Sequence, residues 1–394
     1  MKKITYLLIT CIFIGCAKPE SGPITEVEVP TGDNSSLPRL VTAANGQVYL
    51  SWVEKGTDKK SELKFSRLST DSWERPQLIA AGNNWFVNWA DFPSLSVNQN
   101  TMAAHWLQKS DLGTYDYDVR LSFSQNGGES WGQSLIPHKD GVAAEHGFVS
   151  MLPMANEETF VTWLDGRNTK NETAPNAMTL RAGFFDRNGA TLQEWELDNR
   201  ICDCCQTAAA MTSLGPVVVY RDRSENEIRD MSIVRLVGGE WTQPQPVAIE
   251  LWEIAGCPVN GPAMSAQGLN VAVAWFTAKN GFAQVKLAFS ANAGATFTTP
   301  VVVSEGATNG RVGISHLPNG DVAVSWMDTK DDKAQVMVAR YDGMGILINK
   351  LQVAETSAER ASGFPVITSQ GEQVWMAWTE TGESPQVKTA KINL

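Results

Sequence analysis

"GRVGISHLPNGDVAVSW", Gly310 to Trp326, holds a short apolar segment, an Asn-Gly turn and an alternating strand that ends on an aromatic residue. Asn-Gly between two alternating runs is a strong short-range hairpin signal, because both residues tolerate the left-handed backbone that a tight primed turn requires. The pattern recurs along the chain. It returns in "LPRLVTAANGQVYLSW", "DFPSLSVNQNTMAAHW", "HGFVSMLPMANEETFVTW", "TAAAMTSLGPVVVY", "NGPAMSAQGLNVAVAW" and "GFPVITSQGEQVWMAW". The closing aromatics are Trp52, Trp106, Trp163, Tyr220, Trp275, Trp326 and Trp378, at spacings of 54, 57, 57, 55, 51 and 52 residues.

Each repeat continues with a third alternating segment, such as "ELKFS", "DVRLSFS" or "QVKLAFS", and a fourth, such as "PQLIAA" or "TPVVVS". Four short strands per unit predict an all-β chain: a single β-propeller of seven four-stranded blades, with six blades the alternative, over residues 37–394. The last repeat stops after its third strand, at "VKTAKINL". "ITEVEV", Ile24 to Val29, is predicted to supply the missing outer strand, so that the two termini close the ring and no open edge remains.

Ahead of that strand, Lys2 and Lys3 precede the apolar run "ITYLLITCIFIG" and Cys16, the order of a secretory leader. This resembles a bacterial lipoprotein signal with Phe13-Ile14-Gly15-Cys16 as its lipobox. The resemblance implies a signal peptide over 1–15, a lipidated Cys16 and a tether with the closing strand to residue 36. It places the protein in the bacterial cell envelope, and Ala17 in place of Asp implies the outer membrane. Loss of Lys2 and Lys3 leaves 30 basic against 43 acidic residues, a net charge of −13. That balance argues against nucleic acid and anionic lipid surfaces as partners, so membrane contact is expected through the anchor only, on a monomer.

The same cleavage leaves four thiols, Cys202, Cys204 and Cys205 in "ICDCCQT" and Cys257 in "GCPVNGP". The repeat register puts the triplet at the entry to the inner strand of blade four and Cys257 at the same point of blade five, so the two loops should meet. In an oxidising compartment two disulfides are expected, one from the triplet to Cys257 and one within the triplet. The alternatives are a zinc or copper(I) site with His146 as a further ligand, and a redox-active thiol. No other cofactor is expected.

In a propeller the inner strands start near the mouth of the central channel, and the loops leaving the second strands emerge on the same face. The register therefore gathers Arg39, Asp91, Glu145, His146, Asn260, Arg311 and Arg360 with the residues two past each repeat aromatic: Glu54, Gln108, Asp165, Asp222, Thr277, Asp328 and Glu380. Five of those seven are acidic, which suggests a ring of carboxylates balanced by arginines.

Ser124 to Trp131, "SQNGGESW", and Ser290 to Phe297, "SANAGATF", share Ser-x-Asn-x-Gly-x-Ser/Thr-aromatic. This resembles the Asp-box (bacterial neuraminidase) repeat of sialidase-like propellers, with Asn in place of Asp. The resemblance implies a glycosidase that grips a carboxylated sugar with three arginines and uses a Glu-activated Tyr as nucleophile and an Asp as acid/base. On this chain those roles fall to Arg39, Arg311 and Arg360, to Tyr220 with Asp222 or Glu227, and to Asp91 or Asp165. The chain departs from the pattern in lacking the Phe/Tyr-Arg-Ile-Pro motif, in placing Tyr220 at the repeat aromatic position, and in having seven repeats where family sialidases have six blades. The expectation is an envelope propeller that binds or acts on a glycan, or a small anionic or polar ligand, at the channel mouth without exo-sialidase activity. A metal- or thiol-dependent protein and an interaction scaffold are the alternatives.

Overall fold

The computed structural model describes residues 22–170 and 176–394. The expected signal peptide and the expected lipidation site at Cys16 lie outside the described residues. Seven antiparallel sheets form the blades: Ser35–Gly82, Ser94–Ser124, His146–Ile201, Ala208–Pro246, Ala263–Glu305, Thr308–Ser357 and Val366–Ile392, here blades one to seven. Blade two has three strands, and its outer edge is reduced to a single bridge between Leu121 and Leu135. The expected closure is present. Ile24–Val27 runs antiparallel to the last strand, Ile24 opposite Ile392 and Val27 opposite Thr389, as the outermost strand of blade seven.

All seven repeat aromatics are buried, Trp52, Trp163, Trp275 and Trp326 completely. Each second strand lies between two neighbouring blades, so both its faces are apolar, as in Val217–Tyr220. Trp52, Leu50 and Val48 of blade one pack with Val366, Trp375 and Ala377 of blade seven, and Trp326 of blade six packs with Ala272 and Leu287 of blade five. Truncating one such tryptophan would cost about 3–5 kcal/mol.

The two Ser-x-Asn-x-Gly turns are built alike. Ser124 Oγ donates to Asn126 Oδ1 at 2.9 Å, and that oxygen also accepts from Ser130 N at 3.0 Å. Ser290, Asn292 and Thr296 repeat the pattern at 2.8 and 3.0 Å. Gly128 and Gly294 sit at φ of 90° and 80°, where a Cβ would collide with Phe65 and Ile233 of the preceding blade. The turns therefore lock each hairpin onto its neighbour.

The channel mouth has its own repeated device. Leu37, Phe148, Val259, Arg311 and Gly363, at or just ahead of the inner strands of five blades, all take positive φ between 49° and 63°. Bulges follow at Ser36/Arg39, Gly147/Ser150 and Gly310/Gly313. Left-handed backbone at a non-glycine costs roughly 1–2 kcal/mol, and bulges re-aim side chains beside functional sites. A belt of hydrogen bonds between blades holds these bends. Phe148 N donates to Asp91 Oδ1 (2.8 Å), Thr207 Oγ1 to Phe148 O (2.9 Å), Gly261 N to Gln206 Oε1 (2.9 Å) and Arg311 N to Asn260 Oδ1 (2.7 Å).

Candidate functional site at the channel mouth

Arg39 and Asp91 line one central cavity of about 240 Å³, together with Phe92, Phe148, Gln206, Pro262 and Phe364. The guanidinium of Arg39 lies 4.4 Å over the Phe92 ring and has no hydrogen bond or ion pair among the described residues. Burial without a counter-charge draws its pKa down to about 10. Phe92 packs on Phe364 at 5.7 Å, and Phe364 stacks on Trp89 at 5.8 Å. Arg311 and Arg360 lie over Trp89 at 4.9 and 5.9 Å. Arg39 of blade one, Arg311 of blade six and Arg360 ahead of blade seven thus surround one aromatic cluster, made by the loops before blades two and seven.

They are not equivalent. Arg311 is buried, and its Nη1 donates to Ser362 Oγ (2.7 Å) and Gly363 O (2.8 Å), which makes it a strut between blades six and seven. Arg360 is exposed. Arg39 is half-buried, and of the three it is the one that lines the cavity with its donors free among the described residues.

Across the channel the chemistry is acidic. Tyr117 OH donates to Asp91 Oδ2 at 2.8 Å and reaches Glu145 Oε1 at 3.0 Å. Burial is the main cause that raises Asp91 to about 7 and Glu145 to about 8. Both carboxyls therefore hold protons near neutrality, as a general acid must. Next to them, His146 is buried and stacks on His138 with ring centroids 3.7 Å apart. Asp118, Asp140 and Asp165 surround the two rings, and Arg167 holds Asp165 through Nε and Nη2 at 2.7 Å each.

The carboxylate ring has a different role from the one expected. Trp52 Nε1 donates to Glu54 at 2.8 Å, and Trp163 Nε1 to Asp165 at 2.9 Å. Where the same position in blade five is Thr277, Glu250 accepts from Trp275 Nε1 instead, at 3.0 Å. In blades one and three the acid two residues past the buried tryptophan thus satisfies its indole N–H, a structural role for Glu54 and Asp165; in blade six Asp328 instead accepts from Ser304 Oγ at 2.7 Å and the Trp326 indole is left without a partner. Tyr220 is likewise core: it is buried, donates to Asp198 Oδ2 at 2.5 Å, and burial raises its pKa well above the phenol range. Asp222 accepts from Arg223 N (2.6 Å) and Ser232 Oγ (3.1 Å), while Glu227 pairs with Arg223 and Arg229. Neither carboxylate is hydrogen-bonded to the Tyr220 hydroxyl, so the supposed nucleophile pair is not assembled.

The cysteine loops do meet. Cys204 and Cys257 form a disulfide with Cα atoms 6.0 Å apart, linking blades four and five. The second disulfide expected within the triplet is absent: Cys202 and Cys205 are buried free thiols with sulfurs 3.0 Å apart. His146 does not join the sulfurs, since its neighbours are His138 and the three aspartates. Arg229 Nη1 donates to Cys202 Sγ at 3.3 Å. Burial alone would raise the Cys202 thiol; hydrogen bonds from Cys205 and the Cys204 N–H, with Arg221 and Arg229 nearby, outweigh it and set it at about 6. The signal for this pair is in the sequence, because Cys202 and Cys205 are themselves a Cys-x-x-Cys, which a reading of the triplet as one unit passes over. Trp89, Phe92 and Phe364, Tyr117, Asp118, His138 and Asp140 are also missed, being outside the repeat register used to choose candidates.

No protein-family model matches the chain, and no curated protein sequence matches it. Solved structures do. A polysaccharide lyase, ulvan lyase, aligns at 12% identity over 93% of this chain and 95% of its own, with a TM-score of 0.56. The phage phi92 endosialidase aligns at 7% identity over 94% and 69%, TM-score 0.51, and a Mycobacterium tuberculosis puromycin-hydrolyzing peptidase at 11% over 92% and 51%, TM-score 0.52. The chain spans about half the length of that peptidase. At such identities the likeness is one of fold: the chain has the sialidase-like β-propeller fold, in seven blades, and glycan-active propellers are among its neighbours.

Proposed function

We propose that the protein binds an acidic glycan at the channel mouth, gripping a sugar carboxylate with Arg39 beside the Trp89, Phe92 and Phe364 cluster, with Arg360 attracting it from the rim. The observation that carries this reading is Arg39, a half-buried cation lining the cavity whose guanidinium has no partner among the described residues. A cation that has lost part of its hydration without gaining a counter-charge favours an anion, and a carboxylate ligand would supply the missing partner through a bidentate contact. Aromatic faces beside the guanidinium suit the apolar face of a sugar ring. Asp91 lines the same cavity, and burial raises its pKa to about 7, so it is the group placed to act as an acid. Arg311 is spoken for by Ser362 and Gly363, so the three-arginine grip of an exo-sialidase is incomplete and no release of sialic acid from an aryl sialoside is expected.

The test is calorimetric titration with oligouronates and with neutral oligosaccharides of equal length. Binding should be confined to the acidic series and weaken at least tenfold in Arg39→Met. Equal affinity for the neutral series, or an unaffected variant, would remove the proposal. Envelope placement through lipidated Cys16 belongs to the same reading, and Cys16→Ser should release the protein from the membrane fraction.

Thiol chemistry is a second reading, favoured by the Cys202 Sγ to Cys204 Sγ distance of 4.0 Å. Attack of the Cys202 thiolate on Cys204 would expel the Cys257 thiolate. Cys205, giving up its proton to Cys257, would then displace Cys204 as a thiolate, which recovers the proton first shed by Cys202. Mapping the disulfide before and after mild reduction tests that exchange.

A further inference from the structure

The imidazoles of His138 and His146 pose a problem that the glycan reading leaves untouched. The residues are 4% and 0% exposed, and His138 Nε2, His146 Nδ1, His146 Nε2 and Asp140 Oδ2 are buried without a hydrogen-bond partner. Buried polar groups are paired in more than about 90% of cases, and each exception costs roughly 1–3 kcal/mol. Four such atoms in one place need a common explanation.

The two rings are stacked within 5° of parallel, and each turns one nitrogen to each of two carboxylates. On one edge, His138 Nε2 and His146 Nδ1 both stand 3.9 Å from Asp118 Oδ1. On the other, His138 Nδ1 and His146 Nε2 both stand 3.3 Å from Asp140 Oδ2. The edges differ in charge. Asp140 Oδ2 is 3.4 Å from Arg167 Nη2, so a cation is already present there. Asp118 accepts no hydrogen bond from another described residue, pairs with no arginine or lysine, and is 18% exposed on its side chain, which leaves a path from solvent.

We propose that Asp118, His138 and His146 form a binding site for a divalent cation of the zinc class, with Asp140 as the carboxylate that orients both imidazoles. Two imidazoles and one carboxylate are a borderline donor set that selects such ions over magnesium or calcium and leaves a position open. A carboxylate behind each ligating histidine is the usual outer support of metal sites, and here one carboxylate, fixed by Arg167 and by Val142 N at 2.7 Å, serves both rings. Ligand atoms around zinc at about 2.0–2.1 Å lie roughly 3.3–3.4 Å apart. The 3.9 Å spacings would therefore contract and the stack would tilt open on binding. The site is next in sequence to Tyr117 and Glu145, so the ion would brace the acidic wall of the cavity.

The experiment uses chelator-stripped protein titrated with zinc chloride, read as metal per chain by elemental analysis and as the shift in thermal midpoint. One ion per chain and a raised midpoint are expected, with no response to magnesium at the same concentration. His138→Gln and, in case that core position disturbs folding, the half-open Asp118→Asn should each lower zinc affinity at least tenfold. A Cys202→Ser/Cys205→Ser double variant should bind zinc as the unaltered protein does. Absence of stoichiometric zinc, retention of full affinity in Asp118→Asn, or loss in the cysteine variant, which would assign the ion to the sulfurs, would each overturn the proposal. None of these readouts depends on a glycan.

Discussion

The two walls of the channel mouth solve opposite problems. On the side of blades two and three, carboxylates and imidazoles are buried together, and several acids have donors: Tyr117 for Asp91, Arg167 and the Trp163 indole for Asp165. On the side of blades six, seven and one, Arg39 is half-buried with an aromatic face and no anion. The contrast teaches that charge alone does not mark a ligand site. The acidic wall is satisfied from within the fold at Asp91 and Asp165 and leaves its orphaned atoms at His138, His146 and Asp140, whereas the basic wall has a cation that the chain supplies with no anion.

The largest test of that contrast is on the acidic wall. Asp165→Ala would leave the buried Trp163 indole without its acceptor and take from Arg167 its two 2.7 Å hydrogen bonds. Removing one member of a buried ion pair costs about 3–5 kcal/mol. Urea unfolding should show a loss of that size; a loss below about 1 kcal/mol would mean that the wall is wetter than its burial implies.

Much of the architecture was legible because it repeats. The aromatic markers gave seven blades, the short last repeat gave the strand Ile24–Val27 its place, and the entry register gave Arg39, Arg311, Arg360 and the Cys204–Cys257 contact. The register failed where a side chain's partner is set by three dimensions. Glu54 and Asp165 recur for the sake of an indole, which a one-dimensional alignment shows only as acidity. His138 and Asp140 lie on the connection between blades two and three, outside any repeat position, so no periodicity could pair them with His146.

Proton linkage separates the walls at intermediate size. Asp91 and Glu145 have folded pKa values of about 7 and about 8, above the unfolded carboxyl range near 4. The folded state therefore binds more protons than the unfolded one between these limits. Their stabilisation is complete below about pH 4 and is lost as pH rises through 7 to 8. His146, raised to about 9 because Asp140 and Asp165 outweigh its burial, adds the same sign above about pH 6.5. Arg39 stays charged in both states here and contributes no slope. Asp91→Asn should flatten the decline between pH 5 and 7 by on the order of 1 kcal/mol per pH unit; an unchanged profile would show that Asp91 is ionised in the fold.

A smaller effect is expected from the basic wall itself. Arg39→Met removes an unpaired, half-buried cation and the contact over Phe92, two changes of opposite sign. Cation–π contacts are worth about 0.5–2 kcal/mol, similar to the relief from burying the charge, so unfolding free energy should change by no more than about 1 kcal/mol. A loss of 3 kcal/mol would show that Arg39 supports the fold, and the two walls would then not differ in kind.

Arg360→Ala should do least to stability and still be informative. The residue is exposed, has no ion pair among the described residues and lies 5.9 Å over Trp89, so its removal should stay within about 0.5 kcal/mol in unfolding. Its charge nevertheless stands at the rim of the cavity that Arg39 lines, where it attracts an approaching anion through solvent. Rim charges act mainly on association rate and on its salt dependence. In stopped-flow mixing with an oligouronate, the variant should associate several-fold more slowly at low salt, and the difference should close near 1 M salt as the screening length falls to about 3 Å. The dissociation rate should be that of the unaltered protein. If Arg360→Ala instead speeds dissociation as strongly as Arg39→Met does, the two arginines grip the ligand together and the unpaired guanidinium of Arg39 is not the distinguishing feature of this wall.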